Sequence, residues 1–516
     1  MRKEKIGPVA IQERIQTIDI IRGFALFGIL VINFTVDHGL TEPWAGFTGF
    51  MDQLVYWFVA FFMNDKFLAT YAFLFGLGFS LQMLRAEERN SPFVFVYIRR
   101  LFVLYIIGVI HQILTAGDIL RDYAMAGVLL LILHKLPRKL LPVLAILCFL
   151  VPWTRGLLEA KNITALPNHS EISVDTAILD TYVGVYPISP EIRQIFIRKG
   201  NKLIGEGPGK QYLLIAKSDS EFIRPDVNTK ITFMKDSAGI VNRYVTIDPN
   251  GVKNTRKKIK ADLQLALAEQ LRQRAARRTG EDVKTYKQFV TRNFNGYWQS
   301  LKNWSWKNYF WGFSINGILP LFLMGLYFGR RKIFYDIPVN RSFLRNVMKW
   351  GLLIGLTSSG IALGFDAWNY FNDIKNESYS LLTRHLINAA WDFLGIMGMA
   401  LGYIAGMALL LEKVNWKKRL SFLGPIGRMG LTNYLLQASV ISITIDSYGF
   451  GLNGKAGPAW RLLMALVTFV LIALISRWWF KHFRIGPAEW LWRSLTYLKI
   501  QPMRLKSSDK NGMKIY

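Results

Sequence analysis

The sequence predicts an all-α polytopic membrane protein of about ten transmembrane helices, with an inserted extracytoplasmic β-barrel or β-sandwich domain. Three observations predict it. Apolar residues gather into runs of about 18 to 25, long enough to cross a bilayer as helices. Loops rich in Lys and Arg alternate with loops poor in both. Residues 158–306 interrupt the pattern with turn-rich sequence.

The spans read as 18–37, 61–84, 97–115, 120–134, 140–157, 307–329, 345–366, 389–412, 427–446 and 460–481. Residues 51–63 are also apolar, but Asp65 and Lys66 follow, so they read as a short interfacial or re-entrant helix. The N-terminus, "HKLPRK", "GRRK", "EKVNWKKR" and the tail "KHFRIGPAEWLWRSLTYLKIQPMRLK" are basic and fall on one side of the spans. The positive-inside rule then puts both termini in the cytoplasm, and long domains such as 158–306 cross regardless of charge. The first span reads as an uncleaved anchor. The expected location is the bacterial inner membrane. The domains read as 1–157 and 307–497 for the two halves of the bundle, 158–254 for the loop with its β-domain, 255–306 for a helical connector, and 498–516 for a cytoplasmic tail.

Composition excludes several classes. The hydrophobic fraction of 51% is close to that of soluble proteins, so distribution carries the argument. The single cysteine, Cys148, excludes an intramolecular disulfide and a cysteine-rich metal site. The six histidines are scattered, with no pair at zinc-motif spacing, so no metal is expected. A net charge of +29 invites a nucleic-acid reading. Against it, the basic residues cluster at helix ends, and no basic stripe interleaves with aromatics.

Within the insert, short apolar runs separate the turn signals "KGNK", "GPGK", "KSDS", "KDSAG" and "DPNG". Strands at such spacing form an antiparallel barrel or sandwich. The pieces "LDTYVGVY", "GNKLIGEGPG" and "SDSEFIRPDVNTKITFMKDSAGIVNRYVTIDPNGVKNTRKK" resemble the small C-terminal β-domain of serine β-lactamase-like proteins. No catalytic constellation lies in this stretch. The helical sequence after it contains "RQRAARR", a solvated or headgroup-facing basic face.

Ionisable residues at membrane depth are costly and commonly functional. Asp19 and Arg22 share a helix face at the inner end of the first span. Asn33 lies three turns further along and His38 just beyond. His111 closes the third span, and the short loop to Asp118 and Arg121 returns toward it. A histidine beside an aspartate can serve as a general base, and a hydrogen-bonded structural network is the competing reading. In "GPIGRMGLTNYLLQ", Arg428 sits at the mouth of the ninth span, with Asn433 and Gln437 one turn apart inside it.

The motifs "RIQTIDIIRGFALFGILVINF", "KFLATYAFLFGLGFSLQM", "GVIHQILTAGDILRDYA", "GPIGRMGLTNYLLQ" and "FRIGPAEWLWRSLTY" resemble the YeiB family of bacterial polytopic membrane proteins, a domain of unknown function. More distantly, that family is similar to transmembrane acyltransferases such as heparan glucosaminide N-acetyltransferase. The resemblance implies cytoplasmic acyl-CoA as donor and an extracytoplasmic glycan or lipid as acceptor. Asp19, Arg22, Gly23, Asn33 and His38 fit the order of aspartate, Arg-Gly, asparagine and outward histidine in those enzymes. On that reading Arg22 with Arg428 would hold the donor's phosphates at the inner mouth, with Asp19 and Asn433 in the same donor path, and Asn33 and Gln437 would line the tunnel. His38 or His111 would take the acceptor's proton, His38 as the favoured base and His111, near Asp118, as the positioning residue. A permease for a small metabolite or lipid, and a sensor using the β-domain, are the alternatives. The expected partners are membrane lipids and the acceptor; a homodimer is allowed, and nucleic acid is not expected.

Overall fold

The computed structural model describes residues 15–35, 49–90, 93–150, 172–188, 193–207, 211–224, 229–248, 251–270, 285–302, 317–371, 387, 390–453 and 455–505. His38 lies outside the described residues. The chain forms two compact units, Met1–Ala160 with Val283–Tyr516, and Lys161–Asp282.

The first unit is helical. Its elements are α1 (Gln16–Thr35), α2 (Phe50–Phe62), α3 (Lys66–Glu88), α4 (Phe93–Thr115), α5 (Leu120–Leu133) and α6 (Leu140–Leu150). Among the described residues, six helical stretches are long and apolar enough to cross a membrane: Gln16–Thr35, Phe50–Glu88, Phe93–Thr115, Arg341–Phe365, Leu394–Glu412 and Pro458–His482. Leu140–Leu150, Leu319–Arg330 and Gly430–Ile445 are apolar but shorter. Two of these coincide with parts of the expected spans 140–157 and 307–329, whose remainders lie largely outside the described residues. The third is cut short by Met429, where the expected span 427–446 breaks into two helices.

The inserted unit begins with α7 (Thr176–Tyr182) and continues as β1 (Gly184–Pro187), β2 (Arg193–Lys199), β3 (Lys202–Glu206), β4 (Gln211–Leu213), β5 (Ile215–Ala216), β6 (Glu221–Arg224), β7 (Thr229–Lys235), β8 (Val241–Ile247) and β9 (Lys253–Lys257). Strands β1–β4 and β5–β9 form two antiparallel meanders in chain order. The expected turns explain the connections. Lys199 pairs with Lys202 across Gly200, whose φ of +62° a glycine adopts without strain. The Asp236 carboxylate accepts from Ala238 N and Ile240 N, shaping the turn between β7 and β8.

The barrel expectation is corrected. The two sheets stay open and share one core, and a single bridge, Val185 to Ile259, joins the region of β1 to that of β9. The reason is local: the chain passes from one sheet to the other at buried Leu214, so β4 and β5 follow one another instead of pairing. A helix over 263–270, α8, lays Ala266 against Val185 and Ile195.

The helical unit resumes with α9 (Tyr286–Lys302), α10 (Leu319–Arg330), α11 (Arg341–Phe371), α12 (Met397–Glu412, after a π-helical turn Ala390–Ile396) and α13 (Val414–Arg419). It ends with α14 (Leu423–Arg428), α15 (Gly430–Ile445), α16 (Pro458–His482) and α17 (Pro487–Tyr497). The stretch expected as one connector, 255–306, is therefore shared between the units. Helices in lipid gain little from hydrophobic burial against each other and pack through small residues instead. Gly351 and Gly355 on α11 meet Gly398 and Gly402 on α12. A Cβ on Gly351 would stand 2.7 Å from Gly398 O, and one on Gly398 2.8 Å from Gly351 O.

Phe233 is the hub of the β-unit core. It stacks on Tyr182 at 4.3 Å and meets Phe196 edge-on at 5.1 Å. Phe233→Ala should destabilise this unit by about 3–5 kcal/mol. Met234→Ala, whose side chain is exposed, should stay within about 0.5 kcal/mol. Thermal unfolding of the two variants checks this; equal losses would contradict the packing described.

Candidate functional site

Four arginines from four helices converge on one cavity of about 150 Å³, at the end of the bundle where α1 and α4 begin: Arg22, Arg100, Arg428 and Arg493. Tyr71, Tyr97, Tyr123 and Trp492 supply aromatic wall, and Gln82 and Glu489 are polar lining. Tyr97 is buried, and its hydroxyl has no hydrogen-bond partner among the described residues.

Backbone contact sets the convergence. A Cβ on Gly427 would lie 1.9 Å from Asp19 O, and one on Gly23 2.2 Å from Leu423 O. Helices α1 and α14 therefore touch main chain to main chain, which brings Arg22 and Arg428 to the same cavity. The Asp19 carboxylate accepts from Arg22 Nη1 at 3.3 Å, as the three-residue spacing predicts. Arg428 lies over the Phe480 ring at 3.9 Å and Arg100 over Trp492 at 3.8 Å. Such cation–π contacts support a guanidinium without neutralising its charge. Trp492 Nε1 donates to Arg100 O at 2.9 Å and Arg99 Nη1 to Thr496 O at 3.0 Å, tying α17 to the start of α4.

Glu489 is the acid of the cavity wall. Its carboxylate accepts from Leu431 N at 2.7 Å and Thr432 N at 3.2 Å, the first amides of α15, and from Thr432 Oγ1 at 2.5 Å. A carboxylate at a helix N-terminus satisfies amides that have no partner within the helix. Burial pushes the Glu489 carboxyl above its ordinary range, opposed by these hydrogen bonds.

The second cluster lies eleven residues further along α4 than Arg100, about 16 Å at 1.5 Å per residue. Tyr97, Leu101, Leu104, Gly108, His111 and Thr115 form one buried stripe on α4, which joins the cavity to His111. The His111 ring bonds Asp118 through Nδ1 at 2.9 Å, and Asp118 Oδ2 accepts from Arg121 N at 2.9 Å. An ionised carboxylate only accepts, so beside an ionised Asp118 it is Nδ1 that carries a proton. Thr115 Oγ1 stands 3.3 Å from Nε2 but 2.9 Å from His111 O. The hydroxyl therefore has both the ring nitrogen and the carbonyl within reach. Gly108 makes room for the pair: a Cβ there would sit 2.5 Å from Asp118 Oδ2. Arg121 turns to Gln112 Oε1 at 2.8 Å.

The remaining expected residues have other surroundings. Asn33 is half-buried near the far end of α1. Asn433 donates to Ile426 O at 2.9 Å and Ser476 Oγ at 3.0 Å, knotting α15 to α14 and α16. Gln437 donates to Leu26 O at 3.4 Å, between α15 and α1. Asn433 and Gln437 are buried in helix contacts and are not among the cavity lining. Sequence reasoning missed Arg100, Arg493 and Glu489. One signal for Glu489 was available: it is the lone acid in an otherwise basic tail.

Residues 328–499 match the family model described as "Protein of unknown function (DUF418)". The chain is 25% identical to the uncharacterized protein YxaH of Bacillus subtilis (strain 168), over 97% of this chain and 99% of that one. It is 24% identical to the uncharacterized protein YeiB of Escherichia coli (strain K12), over 96% and 100%. The chain is thus similar to YxaH and YeiB over nearly its whole length and carries the DUF418 match in its C-terminal third. Another relative, the uncharacterized 39.9 kDa protein in the amylase 3' region of Bacillus acidopullulyticus, is 22% identical over 97% of this chain and 99% of its own. At 39.9 against 59.2 kDa, that relative is about 19 kDa lighter. No solved structure matches.

Glu489→Ala strands three donors and should lower stability by about 1–3 kcal/mol. Because the folded-state pKa of Glu489 is raised, the stability it adds is complete below the ordinary glutamate value of about 4.3. That stability is lost as pH rises through the higher folded value. Thermal scans in detergent should show this loss in the parent and not in Glu489→Gln. Identical pH profiles would contradict it.

Proposed function

We propose that the helical unit is a transmembrane acyltransferase that takes acyl-CoA at the arginine cavity and passes the acyl group to an envelope glycan or lipid acceptor near His111. One observation carries the reading: four guanidinium groups from separate helices line one cavity, and a histidine–aspartate pair lies further along the same face of α4. Arginine suits the oxygens of phosphates, as in the nucleotide part of a coenzyme A thioester. The acceptor's hydroxyl or amine would give its proton to His111 Nε2 as its oxygen or nitrogen attacks the thioester carbonyl. The C–S bond then breaks, and the thiolate leaves to the cavity side. Asp118 holds the ring and stabilises the imidazolium. His38, in the same order as in the distant acetyltransferases, is the alternative base.

The basic loops orient the cavity toward the cytoplasm, with both termini on that side and the β-unit outside, in the bacterial inner membrane.

The permease reading has its own observation. Lys66, fully buried where α2 breaks into α3, donates to Ala60 O at 3.1 Å and sits 3.6 Å from the centre of the Trp391 ring. Buried charge at a helix break is a feature of transport sites.

The two readings separate in one experiment. Purified protein with acetyl-CoA and membrane extract should release free thiol and label an acceptor. Arg100→Gln should weaken coenzyme A binding by about 1.5–3 kcal/mol, roughly 10- to 100-fold. His111→Gln should cut turnover about 10²- to 10⁴-fold with coenzyme A binding retained. Substrate movement across proteoliposomes without thioester consumption would favour the permease instead.

A further inference from the structure

Helix α17 has two faces. Glu489, Trp492 and Thr496 point to the bundle, and Glu489, Trp492 and Arg493 form cavity wall. Leu491, Leu495 and Leu498 recur at i, i+4 and i+7 on the opposite side and are 45%, 46% and 73% exposed. Nothing in the described chain covers them. Only four residues separate His482, the end of α16, from Pro487. A chain leaving a membrane span cannot move far from the bilayer surface in four residues, so α17 begins at that surface.

The charge pattern names the occupant. From Arg477 to Arg504 the basic residues are Arg477, Lys481, Arg484, Arg493, Lys499 and Arg504, and the one acid, Glu489, is buried. The exposed apolar strip of α16, which includes Leu471, Leu474, Ile475 and Trp478, continues toward the same end. An apolar helix face flanked by exposed cations matches the boundary between acyl chains and anionic headgroups.

We propose that α17 is seated in the headgroup layer of the bilayer, with anionic phospholipid as its partner, and that this seating holds one wall of the arginine cavity. Trp492 and Arg493 cannot keep their places if the leucine face lifts, because both belong to the same three turns of helix. The link to the cavity rests on the acyl-CoA reading; the seating does not.

The test uses the full chain with Cys148→Ala, in nanodiscs of phosphatidylcholine with and without phosphatidylglycerol. Spin labels at Leu491→Cys and Leu495→Cys should be accessible to oxygen and shielded from a water-soluble nickel chelate. Shielding should increase with phosphatidylglycerol, and Lys499→Gln/Arg504→Gln should abolish that increase. Labels equally open to the chelate in both lipids would overturn the proposal. Strong dipolar broadening between labels, the sign of a second copy covering the leucines, would also overturn it. Since no thioester enters this experiment, failure of the acyltransferase reading leaves its outcome unchanged. For the cavity link, coenzyme A binding should weaken several-fold in Leu491→Ser/Leu495→Ser; unchanged binding would cut that link while leaving the seating result to stand or fall alone.

Discussion

Burying guanidinium groups among apolar helices is the constraint on which this bundle depends. An unpaired charge at membrane depth is costly by any scale, so each arginine at the cavity has to be seated before the cavity can exist. Asp19 seats Arg22 through an ion pair, Trp492 seats Arg100, and Phe480 seats Arg428. The seats use aromatic faces as much as acids. On the acyl-CoA proposal that choice matters: a carboxylate at each arginine would cancel the field that an anion needs, whereas a ring supports the cation without cancelling its charge. The acid of the cavity wall, Glu489, is directed at the amides of α15 rather than at the arginines.

The same constraint explains why the helices touch by backbone where they do. Gly23 and Gly427 let α1 and α14 close up until their arginines share one space, and Gly108 lets Asp118 reach His111. Elsewhere in the bundle glycines serve packing alone, as between α11 and α12. The polar cluster and the cavity are joined by one helix face, the buried stripe of α4, so a rigid rod fixes their separation. On the acyl-CoA proposal, that fixed distance is the one an extended thioester arm would span.

Much of this was legible in the sequence, and the rest was hidden for identifiable reasons. Arg22 and Arg428 stood out because they interrupt apolar runs, and the three-residue spacing of Asp19 and Arg22 already implied their pairing. The return of Asp118 to His111 followed from a short loop. Arg100 and Arg493 were hidden because basic residues at helix ends are accounted for by membrane orientation, so their second use left no separate mark. Asn433 and Gln437 looked like steps of a polar path because the period of a helix gives them one face; which neighbour receives that face is a tertiary fact. In the insert, turn chemistry announced the strands, but the passage at Leu214 that keeps the sheets from closing depends on packing and not on any turn signal.

The central claim is that the arginine cavity is the acyl-CoA site. Photocrosslinking with an acyl-CoA analogue carrying a diazirine on its nucleotide, followed by peptide mapping, tests it most directly. The account predicts labelled peptides from the starts of α1 and α4 and from the segment between Leu423 and Tyr497, all protected by excess coenzyme A. Labelling that maps to the inserted β-unit, or that excess coenzyme A does not reduce, would contradict it.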